Sequence, residues 1–230
     1  MDEAKRLSTL GELAKLYNAT LRRFRTRLAT RCFLCGQRCS CLGLCERCYA
    51  DLPHRRAAQL HRHLPFVSAV YVAFDYRYPL DKIIHKAKFS SDLAALALCG
   101  RLLEMNVSAY LPQVDCVIPV PLSKRRYLTR AYNQAQEIAR PLAVQRGVRL
   151  AADDVWRCSH RAAQSTLPAA ARANNIAGAF ASRKSFAGAD VLIVDDVITT
   201  GTTVTELART LYRSGARRIY VAALAATTVP

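Results

Sequence analysis

One segment near the C-terminus constrains the fold of this chain more than any other: an apolar run that ends in two adjacent aspartates and a threonine-rich loop. Residues 191–203 read Val-Leu-Ile-Val-Asp-Asp-Val-Ile-Thr-Thr-Gly-Thr-Thr. A continuous apolar run of this kind is typical of a central strand in a parallel sheet, because such a strand is buried on both faces. The carboxyl ends of these strands are where open α/β sheets bind their ligands. The segment therefore predicts an α/β fold with a ligand site after residue 194.

The residues that follow the apolar run suit a sugar phosphate. Gly201 lets the backbone approach a ligand closely. The threonine hydroxyls and the backbone N–H groups at the start of the next helix form a cradle for an anion. Asp195 and Asp196 can accept hydrogen bonds from ribose hydroxyls. No Gly-Lys-Ser/Thr is present, which excludes a Walker loop. The competing interpretation is an aspartate pair that merely caps an ordinary strand-to-helix turn.

From residue 66 onwards, strand patterns alternate with helix patterns. We predict strands at residues 67–73, 114–120, 191–194 and 218–225. We predict helices at residues 80–88, 92–105, 131–146 and 203–214. This alternation indicates an open α/β sheet with right-handed crossovers.

The N-terminal part contains two Cys-x-x-Cys pairs, Cys32/Cys35 and Cys45/Cys48. Each pair supplies two thiolates from a tight turn, and four thiolates satisfy the tetrahedral preference of a structural zinc ion. Four such ligands close the site, so chemistry at the metal is not expected. Cys39 and Cys41 lie between the pairs and leave three alternatives open. They could replace a ligand, take no part, or join His54, His61 or His63 at a second metal.

The formal net charge is +17, and it is concentrated towards the N-terminus. Residues 1–65 carry thirteen Lys and Arg against five Asp and Glu. An apolar stripe with spacings of three and four predicts an amphipathic helix over residues 1–30. Its last turns carry four arginines: Arg22, Arg23, Arg25 and Arg27. They could form the solvent-exposed face of a helix whose apolar stripe packs on the main domain, lie on an anionic membrane surface, or contact nucleic-acid phosphates.

Residues 191–203 closely resemble the phosphoribosyl diphosphate (PRPP) binding motif of type I phosphoribosyltransferases. A module with two Cys-x-x-Cys pairs followed by such a domain, with further motifs in order along nearly the whole chain after residue 31, resembles the ComF family of competence and DNA-uptake proteins. The matching elements are Lys88-Phe89, residues 117–126 as a pyrophosphate loop, and residues 130–134 for the family's Arg-Gly-Phe-Asn-Gln. Two departures stand out: Ala131 replaces the usual glycine, and Cys39 and Cys41 are additional to the four zinc ligands.

The resemblance implies a type I phosphoribosyltransferase-like domain over residues 66–230, with an open, mostly parallel sheet. A Cys-rich zinc module over residues 31–65 and the helix over residues 1–30 would precede it. Asp195 and Asp196 would bind the ribose hydroxyls, directly or through Mg²⁺. Lys124 and Arg125 would meet the pyrophosphate, although a solvated basic turn is the alternative. The residues implied for the 5′-phosphate are Thr199, Thr200, Gly201, Thr202 and Thr203.

Lys86 and Lys88 could add positive charge over the same proposed PRPP site, or lie on the surface.

The resemblance implies a PRPP-binding protein of DNA uptake and natural transformation. As an enzyme it would transfer a phosphoribosyl group to an acceptor that the sequence does not identify, releasing pyrophosphate. The alternative is a non-catalytic adaptor that binds single-stranded DNA and uses the phosphate pocket for a phosphorylated ligand. Partners would include the DNA-uptake machinery. No apolar run reaches the roughly 18 residues of a membrane span, and the N-terminus is not a secretory signal. We therefore expect a cytoplasmic protein, with peripheral contact at the inner membrane face through residues 1–30.

Overall fold

A computed structural model describes residues 31–39, 43–56, 58–89, 92–123, 132–158 and 178–227. The described strands are β1 (Gln59–Leu60), β2 (Ala69–Asp75), β3 (Cys116–Pro119), β4 (Arg149–Leu150), β5 (Val155–Arg157), β6 (Phe180–Ser182), β7 (Asp190–Ile198) and β8 (Arg218–Ala226). The described helices are α1 (Glu46–Ala50), α2 (Leu80–Phe89), α3 (Leu93–Val107), α4 (Gln134–Arg146) and α5 (Thr202–Arg213), with a short 3₁₀ turn at Ser108–Tyr110.

The predicted α/β fold is confirmed, with an open and mostly parallel sheet. Six strands lie in the order β1-β2-β8-β7-β3-β4, and β1 alone among them runs antiparallel to its neighbour. The central strand β7 pairs in parallel with β8 on one side and β3 on the other. Strands β5 and β6 form a separate antiparallel pair. This order places the carboxyl ends of β3, β7 and β8 at one edge of the sheet.

Each face of the sheet carries its own apolar core. Leu192 and Val194 pack with residues of α2, α3 and α4, whereas Val191 and Ile193 pack with residues of α5. Because successive residues of a strand point to opposite faces, the continuous apolar run of β7 supplies both cores. All four of these side chains are fully buried. The run therefore explains why β7 occupies the middle of the sheet.

The eight predicted elements are present, with ends displaced by a few residues. The predicted helix at residues 92–105 begins at Leu93 because Asp92 is its N-cap, accepting from the N–H groups of Ala94 and Ala95 at 3.0 Å each. Asn133 caps α4 in the same way, and Gly147 ends that helix in the left-handed region at φ +64°. Cap residues therefore account for two of the shifts in helix ends.

The Cys-rich segment packs against the main domain. Cys32, Leu44 and Leu52 are buried in the core that includes α2 and α3. The Tyr49 hydroxyl donates to Asn106 Oδ1 of α3 at 3.2 Å. The predicted basic helix, with Arg22, Arg23, Arg25 and Arg27, lies outside the described residues. Within the part of the chain that the structure describes, no helix has the length and apolarity needed to cross a membrane.

Candidate functional site

The two motif carboxylates sit on β7 close to its carboxyl end. Asp195 and Asp196 precede the last residue of the strand, Ile198, and both are half-buried. The Asp196 N–H donates to Asp195 Oδ1 at 2.9 Å. Asp196 faces α2, as its contact with Lys88 of that helix shows.

The threonine loop turns directly into α5. Gly201 adopts φ +83°, a conformation that favours glycine, and α5 begins at Thr202. The Thr200 and Thr202 hydroxyl oxygens are 2.7 Å apart, and the Thr202 N–H donates to Thr200 Oγ1 at 3.4 Å. Thr199, Thr200 and Thr202 are exposed to solvent. Hydroxyls, backbone N–H groups and the positive end of a twelve-residue helix therefore converge on one accessible point.

A segment from the N-terminal part of the chain packs against this loop. We call residues 61–66 the strap. Arg62 Nη1 donates to the Thr199 carbonyl at 2.5 Å, across a separation of 137 residues. A Cβ atom placed on Gly201 would lie 2.7 Å from Leu64 Cδ2. Further along α5, the Phe66 and Tyr212 rings lie 5.3 Å apart. The threonine loop is thus held between its own strand and the strap, and Gly201 is constrained by both its conformation and the space around it.

Lys88 reaches one of the two motif carboxylates, that of Asp196, whereas Lys86 is directed elsewhere. Lys88 Nζ lies 3.0 Å from Asp196 Oδ2, and both side chains are mostly shielded from solvent, at 23% and 17% exposure. Lys86 Nζ instead lies 4.8 Å from the centre of the Phe33 ring, in the first cysteine pair. The sequence left a role over the cleft open for both lysines. The structure places only Lys88 there.

The ends of the predicted pyrophosphate loop are anchored beside the same site. The loop leaves β3 at Val120, whose N–H donates to the Val194 carbonyl at 2.9 Å. Asn133 Nδ2 donates to the Val120 carbonyl at 3.1 Å. The Tyr132 hydroxyl donates to the Ala87 carbonyl of α2 at 3.0 Å. Lys124 and Arg125, like Ala131, lie outside the described residues. The described flanks bring both ends of the loop towards α2 and β7.

The four predicted zinc ligands come together. The Sγ atoms of Cys32, Cys35, Cys45 and Cys48 all lie within 4.8 Å of one another. Cys35 Sγ and Cys45 Sγ are 3.7 Å apart, close to the edge of about 3.8 Å in a tetrahedron with Zn–S bonds of about 2.3 Å. Desolvation raises the pKa of the buried Cys32 thiol, but backbone hydrogen bonds from Cys35, Cys45 and Leu34 outweigh it and lower that pKa to about 6. Desolvation and the neighbouring thiols raise the pKa of Cys48, so Cys32 is the thiol of this cluster whose surroundings favour the thiolate.

The structure gives no support to a second metal among the described residues. The four cysteines are the one described group of three or more His, Cys, Asp or Glu side chains close enough to share an ion. His54 Nε2 donates to the Tyr49 carbonyl at 2.8 Å, and its ring packs between those of Tyr49 and Phe74. Cys39 packs against the core and is not one of the four, and Cys41 lies outside the described residues.

The sequence predicted the carboxylates, the threonine loop and the cysteine cluster, but not the strap. Arg62 and Leu64 belong to a stretch without a motif, and their contacts join parts of the chain far apart in sequence. The one signal that could have indicated them is Gly201, since a glycine in such a loop often marks a close approach of another group.

Comparison with known proteins finds a matching domain family and similar proteins. The family described as "Phosphoribosyl transferase domain" matches residues 127–228, which contain β7, the threonine loop and α5. The DNA utilization protein YhgH of Salmonella typhi is 34% identical over 196 residues, covering 81% of this chain and 85% of the relative. Competence protein F of Haemophilus influenzae is 28% identical over 204 residues, covering 84% and 89%.

Solved structures are more distant. A glutamine PRPP amidotransferase from B. subtilis complexed with ADP and GMP has 20% identity and a TM-score of 0.39, covering 55% of this chain and 26% of that protein. A purine phosphoribosyltransferase from Pyrococcus horikoshii has 20% identity and a TM-score of 0.34, covering 57% and 75%.

Proposed function

This chain belongs to the ComF family, and from that membership we propose that it is a PRPP-binding protein of DNA uptake and natural transformation. The observation that carries the proposal is the arrangement at the end of β7. Two carboxylates stand beside an exposed loop of threonines and N–H groups that opens α5. A ribose phosphate needs acceptors for its hydroxyls and donors for its phosphate, and this edge of the sheet supplies both.

Each motif residue has a role in this proposal. Asp195 and Asp196 bind the ribose hydroxyls, directly or through Mg²⁺. Lys124 and Arg125 meet the pyrophosphate, since cations after β3 suit that anion. The residues assigned to the 5′-phosphate are Thr199, Thr200, Gly201, Thr202 and Thr203. When bound, Mg²⁺ supplies positive charge to the carboxylates and to the diphosphate oxygens.

As an enzyme, the protein transfers a phosphoribosyl group. A nucleophilic atom of the acceptor forms a bond to ribose C1 while the C1–O bond to pyrophosphate breaks, and the electron pair leaves with pyrophosphate. The acceptor loses a proton to solvent or to a neighbouring base. The chain positions both groups and stabilises the leaving charge with Lys124 and Arg125. The acceptor itself is not identified by any described residue.

A second function, a non-catalytic adaptor for single-stranded DNA, is supported by the charge of the chain. The formal net charge is +17, and four arginines, Arg22, Arg23, Arg25 and Arg27, lie close together in sequence. Clustered cations bind phosphate chains largely through counterion release. The relatives' names, DNA utilization protein and competence protein, fit this function as well as the first. Components of the DNA-uptake machinery are the partners we propose.

We also propose that Cys32, Cys35, Cys45 and Cys48 hold one structural zinc ion per chain. A closed set of four sulfur ligands suits zinc and leaves no position for a substrate. Thiolate ligands persist best in a reducing compartment, which supports a cytoplasmic location. The segment at residues 1–30 would then contact the inner membrane face as a peripheral element.

Thermal unfolding of the full chain with PRPP and Mg²⁺ tests the pocket. Saturating PRPP, at a hundred times its Kd, should stabilise the protein by about 2.7 kcal/mol and raise its Tm by roughly 5–10 °C. Asp195→Asn and Asp196→Asn should abolish most of this shift, and Asp153→Asn, an exposed aspartate away from β7, should keep it. An unchanged wild-type Tm at saturating PRPP would refute the proposed pocket.

Pyrophosphate release separates the two functions. With PRPP bound, release of pyrophosphate on addition of a nucleobase from a broad panel supports the transferase. Binding of PRPP without release across the whole panel supports the adaptor.

A further inference from the structure

Helix α2 crosses the carboxyl edge of the sheet beside the candidate site. Just before the helix, the Tyr76 N–H donates to the Ala226 carbonyl at the end of β8, at 2.8 Å. At the other end of the helix, Lys88 pairs with Asp196 of β7 at 3.0 Å. One end of α2 is therefore tied to β8 and the other to the motif carboxylates. Any molecule that lies along the outer side of α2 approaches the ribose site.

The outer side of α2 exposes large aromatic rings. The inner side packs into the core through Leu80, Ile83, Ile84 and Ala87, all fully buried or nearly so. On the outer side 65% of Phe89 is exposed, and 73% of Tyr78 is exposed in the turn just before the helix. Lys82 and His85 are exposed between them. Within the helix, the spacing of Lys82, His85 and Phe89 is the three-and-four spacing that lines up along one face, and Tyr78 lies in the turn just before the helix begins.

The same face is positively charged. Residues 76–89 contain four Lys and Arg and a single acid, Asp81. The Asp81 carboxylate accepts from the Lys82 N–H at 2.8 Å, within its own helix. Lys88 pairs with Asp196, and Lys86 lies over the Phe33 ring. Arg77, Lys82 and Lys86 are exposed, and of these three Lys86 is directed towards the cysteine cluster. Aromatic rings interleaved with cations characterise surfaces that bind unpaired nucleotides.

We infer that this α2 face, formed by Arg77, Tyr78, Lys82, His85 and Phe89, binds single-stranded nucleic acid. Bases stack on Tyr78 and Phe89 while Arg77 and Lys82 neutralise phosphates. A duplex keeps its bases stacked on each other and could use only the cations, so the exposed rings favour a single strand. This inference rests on the second function proposed above and assigns its surface.

Binding of a fluorescent oligothymidylate to the full chain, followed by anisotropy, tests the assignment. Tyr78→Ala and Phe89→Ala should each weaken binding about tenfold, since stacking on one ring is worth about 1–3 kcal/mol. Tyr78→Phe and Phe89→Trp keep an aromatic ring and should keep the affinity. Lys82→Gln should lower the slope of log affinity against log salt by about one.

Matched controls lie elsewhere on the surface. Tyr110→Ala removes a ring that is 63% exposed after α3, and Arg213→Gln removes an exposed cation at the end of α5. Both should leave oligothymidylate binding unchanged. The inference is overturned if Tyr78→Ala and Phe89→Ala bind as tightly as the wild type, or if the controls lose as much affinity. Equal affinity of the wild type for a duplex of the same length also overturns it. So does a result in which Tyr78→Ala and Phe89→Ala weaken binding to anionic phospholipid vesicles but not to oligothymidylate.

The rise in Tm caused by PRPP and Mg²⁺ tests the proposed pocket independently of the α2 surface. The α2 variants alter no residue assigned to PRPP, so each should retain the thermal stabilisation by PRPP and Mg²⁺. A wild-type chain that binds oligothymidylate through α2 without responding to PRPP would refute the pocket and leave this surface intact.

Discussion

Lys86 and Lys88 occupy the last turn of one helix and carry the same charge, yet they serve different parts of the molecule. Lys86 lies over the Phe33 ring of the cysteine cluster, and Lys88 pairs with Asp196. If Asp196 turns to ribose hydroxyls on binding PRPP, Lys88 loses its partner while remaining shielded from solvent. A buried or half-buried cation needs a new anion nearby, and the pyrophosphate of PRPP is the anion available.

We therefore predict that Lys88→Gln weakens PRPP binding by about tenfold or more, the value of one charge-assisted hydrogen bond. Ribose 5-phosphate lacks the pyrophosphate, so its affinity should change much less. Calorimetric titration of both ligands measures the difference, and Lys86→Gln is the control with the same charge change. Equal losses for both ligands would mean that Lys88 only positions Asp196.

At the scale of elements, the cysteine cluster is joined to the main domain by packing as well as by sequence. Cys32, Leu44 and Leu52 enter the same core as α2 and α3, and Tyr49 donates to Asn106. A metal ion that fixes Cys32 therefore also fixes part of this core. The local order of the cluster and the stability of the main domain should change together.

We predict that Cys45→Ser removes bound zinc and lowers the Tm by roughly 5 °C or more, equivalent to a loss of about 2 kcal/mol for a chain of this size. Cys39→Ser should retain about one zinc per chain, because Cys39 is not one of the four clustered thiols. Elemental analysis together with calorimetry measures both quantities. Zinc lost from Cys39→Ser and retained by Cys45→Ser would assign the ligands differently.

The elements that the sequence predicted are those with enough residues to show a period. Strands β7 and β8 have nine residues each, and helices α2 to α5 have ten or more. Strands β1, β4, β5 and β6 have two or three, too few for alternation to be visible, and the five-residue α1 has less than two turns.

The site likewise contains residues that the sequence could predict and contacts that it could not. Asp195, Asp196 and the threonine loop were predictable because they are contiguous. The contacts of Lys88 with Asp196 and of Arg62 with Thr199 were not, since they arise only when the chain folds. A single sequence carries no signal for which of many exposed cations meets a distant carboxylate.

For the whole molecule, Asp190 is an acid-sensitive point at the start of the central strand. Hydrogen bonds from Arg217 and from Arg218, which begins β8, lower its pKa from 3.8 to about 2, against the opposing effect of desolvation. A carboxyl whose pKa is lower in the folded state stabilises the fold above its unfolded pKa. That contribution is lost as the pH falls through about 2.

We predict that Asp190→Asn lowers the free energy of unfolding at neutral pH by on the order of 1 kcal/mol, because both arginines are more than half exposed and solvent screens them. As the pH falls from about 4 to about 2, the carboxyl is protonated first in the unfolded state and then in the folded state, so the variant and the wild type should converge over this range. Urea unfolding across this range measures the difference. The exposed Asp153→Asn is the control, and a gap between Asp190→Asn and wild type that is as large at pH 2 as at neutral pH would contradict the prediction.

The strap also bears on how this protein can be divided or recombined. The predicted boundary at residue 65 falls after Arg62 and Leu64, and β1 also lies before it. A fragment that begins at Phe66 would expose β2 as a bare edge strand and would leave Gly201 without the leucine packed against it. Grafting the cysteine module of one relative, with its strap, onto the sheet of another would also replace the side chains that pack against the threonine loop. The cysteine module with its strap and the sheet domain therefore have to be expressed and exchanged together.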